Sequence, residues 1–442
     1  MSKHYLPSYL HTAPILSAGP AWANLEWQWE LPEGTPFQWA ATRVIYPKAY
    51  LLSAHQQTRV FGAGAFKTLP YSAEEAAHFW EEIKNHPNSF LIGGQTFFSS
   101  PAQCESKWDA VRPHYYFLPR IYFRQAAKGG LKIGLNFSHQ ESMQYQETGN
   151  LPFDFLQFFA TAPEVQASAH GQFFSHESTP NKNQWSKLIT QFTGQKVVYA
   201  RRLSLRSDQP TRGLLENKWH TSEDKATGNI FWLDLAPEWF FLSFSPERLF
   251  SLQKDSLTID VLAGTTRRGQ NAEEDQALAH ELLQCDKNRQ EHQFVLNEIR
   301  ASLGQLGLKP ELLFSGKILK LPHVQHLHSL WQSEVNQQLS PFSIIKALHP
   351  TPAVGGHPRA TALVQIAEGE GYERGLYAAP VGILSAGWSE ILVAIRSALS
   401  EKEQLHVFAG AGIVRQSDAE MEWQETAHKM KNFVGLELGN AP

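Results

Sequence analysis

The sequence predicts an α+β protein built on antiparallel sheet. Two observations carry this. Short strand-like runs follow one another at hairpin spacing, and helical periodicity is confined to a few separate stretches instead of alternating with strands as in βαβ units. The chain has 442 residues, so one large or two coupled domains are expected. It is 42% hydrophobic, with 27 Phe and 13 Trp, which is enough to build a sizeable core.

Residues 37–66 and 88–137 read as short strands with turns, separated by a helical stretch near Ser72–Asn85. The polar, His- and Ser-rich segment 163–186 reads as a loop followed by a helix from about Asn183. From Lys196 the pattern tightens. Strands are expected at 196–205, 229–235, 239–245, 248–253 and 256–263, then one long helix at about 273–305 and strands near 317–336. A Pro- and Gly-rich loop, 349–358, leads into a short helix. Two strands at about 380–386 and 389–399 are joined by a turn around Ala386-Gly387. The last helix opens with Ser417 as its cap and Glu420 completing a capping box. The chain contains no internal repeat and no low-complexity segment.

A net charge of −4 argues against general nucleic-acid binding. No uncharged apolar run approaches the ~20 residues needed to span a bilayer. The first ten residues lack the apolar core of a signal peptide. Cys104 and Cys285 are the two cysteines, neither in a CxxC pair, so neither a disulfide framework nor a zinc–cysteine site is expected and the chain reads as cytoplasmic.

Several residues carry chemistry. The last helix places Glu422, Glu425 and Lys429 on one face, directly after the glycine-rich stretch Phe408-Ala-Gly-Ala-Gly-Ile-Val414. Two carboxylates and an ammonium so placed can hold a hard cation and an anionic ligand together, although a solvated face is the commoner outcome for such a helix. Along the long helix, steps of four give Leu283, Lys287, Glu291, Val295 and Ile299, so Glu291 shares a face with core residues. A buried carboxylate needs a cation or donors, and Lys287 or Arg289 could supply an internal ion pair. Arg396 lies in Ile391-Leu-Val-Ala-Ile-Arg-Ser-Ala398, apolar on both faces, where an arginine meets either an anion or a structural carboxylate. Glu247 follows Pro246 at a sharp strand junction, and Lys196 opens an apolar strand. His323, His326 and His328 lack a third ligand at a recognisable metal spacing, so contact of one of them with a ligand is the better reading. The chain has no GxSxG, and Gly410-Ala-Gly412 lacks the third glycine and following βαβ unit of a dinucleotide loop.

Six motifs occur in order: Phe244-Ser-Pro-Glu-Arg-Leu249, Ala263-Gly-Thr265, Asp286-Lys-Asn-Arg-Gln-Glu-His292, Val324-Gln-His-Leu327, His349-Pro-Thr-Pro-Ala-Val-Gly-Gly-His-Pro358, and the glycine-rich stretch with Glu422, Glu425 and Lys429. Together they resemble the chorismate-utilising enzymes of menaquinone, siderophore and tryptophan biosynthesis. The resemblance is strong from about Lys196 to the C-terminus and diffuse over the first 180 residues. It implies two large antiparallel sheets packed face to face with flanking helices, residues 1–180 supplying strands to the shared sheets and 181–442 forming the chorismate-binding region.

Within that family, Lys196 and the small residue Ala353 match the isochorismate synthases, which add water; ammonia users lack the lysine and carry threonine at the second position. Asp286-Lys-Asn288 and Pro322-His-Val-Gln-His-Leu327 favour the menaquinone branch. The resemblance implies Lys196 as base and Glu247 as acid, with Phe244 and Phe250 raising the pKa of Glu247. It implies Mg2+ on Glu291 and Glu425, with Glu422 in the outer shell. Substrate contacts are implied for Gly264, Thr265, His326, Ala353, Tyr377, Arg396, Gly410, Gly412 and Lys429. Chorismate is the implied partner, with no amidotransferase subunit and a monomeric state. A salicylate synthase releasing pyruvate and a non-catalytic chorismate-binding paralogue are the rivals. Departures from the family pattern are Ser243-Phe244, Thr266-Arg267, Asn288 and Ala379.

Overall fold

The computed structural model describes residues 15–18, 22–29, 36–41, 43, 45–86, 88–100, 104–127, 130–148, 150–151, 173–223, 228–320, 324–336, 339–431 and 433. Every strand pairing among them is antiparallel, so the backbone ladders can be closed by hairpins and short returns.

One sheet starts at the edge strand Glu311–Lys320. It runs through Val324–Glu334, Ser256–Arg267, Arg248–Gln253, Trp388–Val393, Pro380–Ser385 and Phe90–Gln95. The other runs from Thr58–Thr68 through Lys48–Ser53, Asn229–Ala236, Trp239–Ser245, Ser397–Glu401, Gln404–Ile413 and Lys196–Ser207 to Phe173–Thr179. The long strand His114–Gln125 belongs to both: its start pairs with Phe90–Gln95, and the rest with Thr58–Thr68 and Leu131–Phe137. The two expected sheets are therefore halves of one continuous ladder, and strands from before residue 180 lie in both.

Side chains alternate faces along these strands, which sorts the core. Leu51, Phe231 and Phe241 of the second sheet meet Phe250, Ile259, Val261 and Ile383 of the first in a single inner cluster. Their neighbours Tyr50, Trp232 and Phe240 point the other way, into a cluster closed by Trp219 of the helix Arg212–Glu223.

Local expectations needed correction in several places. The region 37–66 begins with a helix, Pro36–Ala41, before its strands. Of the segment 163–186, residues 163–172 lie outside the described residues, as does His323; the remainder forms the edge strand Phe173–Thr179, and the helix is Lys182–Thr190. The single helix at 273–305 is two, Ala272–Gln284 and Asp286–Gln305, broken by extended backbone at Cys285. On an unbroken helix Leu282 and Val295 would point about 140° apart. The break lets both be buried, and it leaves Leu283 39% exposed, off the face it was expected to share with Glu291. The strand expected at 389–399 also breaks, into Trp388–Val393 and Ser397–Glu401, with Arg396 at φ 51° between them. The cap of the last helix, Ala419–Met430, is Asp418, whose carboxylate accepts from the Met421 N–H. Ser417 instead accepts from the Val414 N–H, and Glu420 pairs with Lys182.

Candidate active site

The strand Lys196–Ser207 organises the site. Val197 is fully buried, and Lys196 beside it reaches across so that its Nζ donates to Glu291 Oε1 at 2.6 Å. Glu291 thus has a partner nearly 100 positions away in sequence, Lys196, and the side chain of Lys287, the other expected partner with Arg289, lies outside the described residues. The helix Asp286–Gln305 is held to the first sheet by His292, whose ring bonds the Ala263 carbonyl at 3.1 Å and the Ser329 hydroxyl at 2.6 Å. That anchor, one residue away, fixes where Glu291 emerges.

The loop 349–358 lies on the same strand. Gly356 and His357 pair with Val197 and Lys196, and the Gly355 carbonyl accepts from the Val198 N–H. A buried ion pair locks this junction. The Arg374 guanidinium bonds Glu370, the Val354 carbonyl at 2.9 Å and the Val198 carbonyl at 2.7 Å, while Glu370 accepts from the Ala200 N–H. Sequence reasoning missed this pair. Its only signal is an i, i+4 spacing, which does not distinguish a buried clamp from a surface pair. Ala353, in the middle of the loop, is partly exposed.

Glu247 sits between two strands, its N–H donating to the Ser245 hydroxyl, which in turn donates to the Val393 carbonyl. Burial pushes its carboxyl up to about 7, opposed first by the nearby Lys196 ammonium and then by Thr351. Thr351 approaches without a hydrogen bond of normal geometry: its buried hydroxyl has no partner. Phe244 does not contribute to this environment. It packs against Phe433 with the outer cluster, because alternation along Trp239–Ser245 turns it to the opposite face; Phe250 does lie in the inner cluster.

The remaining groups converge from the other side. The Tyr377 ring stacks on Phe408 with centroids 5.4 Å apart, and burial drives its phenol well above the usual range. Gly410 is required there, since a Cβ would lie 2.9 Å from the Tyr377 hydroxyl; a Cβ at Gly412 would lie 3.6 Å from Lys196 Cε. Both glycines are strand residues, paired with Ala200 and Val198. Burial lowers the pKa of Arg396, with Tyr377 and Glu425 acting in the opposite direction. A non-glycine residue at positive φ is costly and recurs at functional sites. His326 accepts or donates at 2.8 Å with Thr265, and burial, with Arg396 and Lys429 nearby, lowers its pKa to about 4, so its imidazole is neutral near pH 7. Gly264 precedes Thr265 at φ 79°, its α-carbon facing Asn288. His328 bonds Asp260 instead of joining His326.

The last helix is docked by Arg201, which bonds Thr426 at 2.7 Å and lies 3.7 Å over the Trp423 ring. Lys429 then donates to both Glu425 and the Gly410 carbonyl. Glu425 is exposed and Glu422 partly buried. Among the described residues no group of three or more His, Cys, Asp or Glu side chains is placed to hold a metal by itself, and no helix is long and apolar enough to cross a membrane. Glu291 and Glu425 do offer two oxygen donors of the kind Mg2+ accepts from a protein while substrate and water complete its shell. Neither Cys104 nor Cys285 is in a disulfide.

Residues 23–436 match the family of chorismate binding enzymes. The chain is 32% identical to the isochorismate synthase MenF of Bacillus subtilis, over 81% of this chain and 77% of that one. Its structure superposes on MenF, the menaquinone-specific isochorismate synthase from Escherichia coli, with a TM-score of 0.80 at 26% identity, covering 96% and 97% of the two chains. Anthranilate synthase component I from Streptococcus pneumoniae shares the fold, with a TM-score of 0.60 at 19% identity. With its antiparallel double sheet and this likeness along nearly its whole length, the chain belongs to the chorismate binding enzyme family.

Proposed function

We propose that the protein is an isochorismate synthase, converting chorismate to isochorismate, and that it acts in the menaquinone branch. The observation that carries this reading is the approach of Lys196 and Glu247 to one another in a cleft lined by Arg396, Lys429 and neutral His326. Moving the ring hydroxyl from C4 to C2 requires water to attack C2, the double bonds to shift, and the C4 oxygen to leave as water. In this reading Lys196 takes the proton from the attacking water, and Glu247, whose acid form persists to about pH 7, gives one to the leaving oxygen.

Arg396 and Lys429 hold the substrate carboxylates, with Tyr377, Thr265 and the backbone at Gly264, Gly410 and Gly412 completing the cradle. Ala353 leaves room for the water. Mg2+, where bound, would be held by Glu291 and Glu425, with Glu422 through water, and would neutralise the C1 carboxylate and draw electron density from the ring. We further propose a cytoplasmic, monomeric enzyme without an amidotransferase subunit, in which residues 1–180 supply strands and residues 181–442 the site.

The test is incubation with chorismate and Mg2+, with products separated by chromatography and pyruvate followed by a lactate-dehydrogenase couple. Isochorismate without stoichiometric pyruvate is expected. Pyruvate release would make it a salicylate synthase, and no turnover a binding protein.

A further inference from the structure

Thr351 is 7% exposed, and its hydroxyl lies against the Glu247 carboxyl, which it helps to hold down, without making a hydrogen bond of good geometry to any group. An unpaired buried hydroxyl is costly and calls for an explanation. Packing does not force it into this position by default, because the residue is set there by its backbone: the Thr351 carbonyl accepts from the N–H groups of both Val354 and Gly355, closing a tight turn. A Cβ at Gly355 would lie 3.0 Å from the Pro350 ring and 3.3 Å from that carbonyl, so the turn has little room to shift. The Arg374 guanidinium holds the far side of the turn through the Val354 carbonyl.

We propose that Thr351 is a positioning residue for Glu247, its hydroxyl donating to the carboxylate as that group gives up its proton to the leaving oxygen. This rests on the isochorismate synthase reading. The charged and titratable groups facing Glu247 are Lys196 from the strand Lys196–Ser207 and Tyr377 from the turn before Pro380–Ser385. While the carboxyl keeps its proton, the threonine contact is loose. When the proton moves to the C4 oxygen and the C4–O bond breaks, a full carboxylate remains in a partly buried position. Donation by Thr351 then becomes a charge-assisted hydrogen bond. An interaction that tightens as charge develops accelerates the step, whereas one of equal strength throughout would only aid binding.

The experiment compares Thr351→Val, which keeps the shape and removes the hydroxyl, with Thr351→Ser, which keeps the hydroxyl. For the valine variant kcat should fall about 10- to 100-fold, the worth of a hydrogen bond to a charged group, with KM within about twofold of the parent. The alkaline limb of its pH–rate profile should move to higher pH, because Glu247 without its donor stays protonated longer. The serine variant should restore most of kcat and the parental limb. Thermal midpoints of all three proteins are measured alongside. Parental kcat and an unmoved limb in the valine variant would overturn the proposal. So would a loss shared equally by serine with no limb shift, which would mark a packing role. If the parent makes a product other than isochorismate, the functional reading fails, while the limb shift between parent and variants still decides the role of Thr351.

Discussion

The wall of the cleft around Glu247 and the wall around Glu425 handle carboxylates in opposite ways. Glu247 is partly buried, faces the Thr351 hydroxyl, and has its carboxyl pushed up to about 7 by desolvation. Glu291 and Glu425 are open to solvent, with 37% and 51% of their side chains exposed, and each is held at 2.6 Å by an ammonium, Lys196 and Lys429. Burial tunes the first group for giving up a proton. Exposure leaves the second pair open to an exchange of these internal partners. Lys196 connects the two walls, since it touches Glu291 and acts on Glu247. The lesson is that one lysine side chain ties an exposed carboxylate to the carboxyl whose pKa burial raises.

The largest effect expected from disturbing the open wall is loss of activity on metal removal. EDTA should abolish turnover and added Mg2+ restore it, and Glu291→Gln should cut turnover and weaken the metal dependence with the fold intact, as judged by circular dichroism. Full activity in a metal-stripped sample would remove the role assigned to this wall.

Disturbing the enclosed wall should cost less than total activity. Lys196→Ala and Glu247→Gln should each lower kcat by about 10²–10⁴, the range for losing a positioned proton-transfer group. Because the folded pKa of Glu247 is raised, its acid form persists to about pH 7, and the parental rate should fall as pH rises through that value. A flat profile between pH 6 and 8 would contradict its assignment as the acid.

Behind both walls, Arg374→Met should destabilise the protein by about 3–5 kcal/mol in urea unfolding, since it strands the buried Glu370 carboxylate. An unchanged midpoint would mean that the clamp is not what holds the loop 349–358 to the strand. The smallest change is expected from Ala353→Thr. Added bulk and a hydroxyl beside the water site should lower isochorismate formation and shift product toward pyruvate, without conferring ammonia use. An unchanged product spectrum would leave the choice of nucleophile resting on Lys196.

Much of the strand order after Lys196 was legible because apolar alternation and hairpin spacing are local signals; 229–235, 239–245 and 248–253 appear as strands nearly residue for residue. The breaks were not. Cys285 and Arg396 interrupt elements whose patterns run on unbroken: the break at Cys285 lets Leu282 and Val295 both be buried, and at Arg396 the backbone takes a φ of 51° that no local signal marks. The capping residue slipped by one for a similar reason: Ser417 and Asp418 are equally good caps by type, and the turn at Val414 takes the serine.

By itself, the sequence determined the antiparallel α+β class, the residue types needed for cation, anion and proton chemistry, and the ordered motifs of a chorismate binding enzyme. Each is recorded in spacing along the chain. Tertiary structure alone decided that Lys196 pairs with Glu291, that Phe244 turns away from Glu247, that Glu370 and Arg374 form the buried clamp, and that Thr351 is left with an unpaired hydroxyl facing the acid. Those facts depend on burial and on contacts between distant segments, and neither a pKa nor a missing hydrogen bond has a value until the surrounding protein has excluded water.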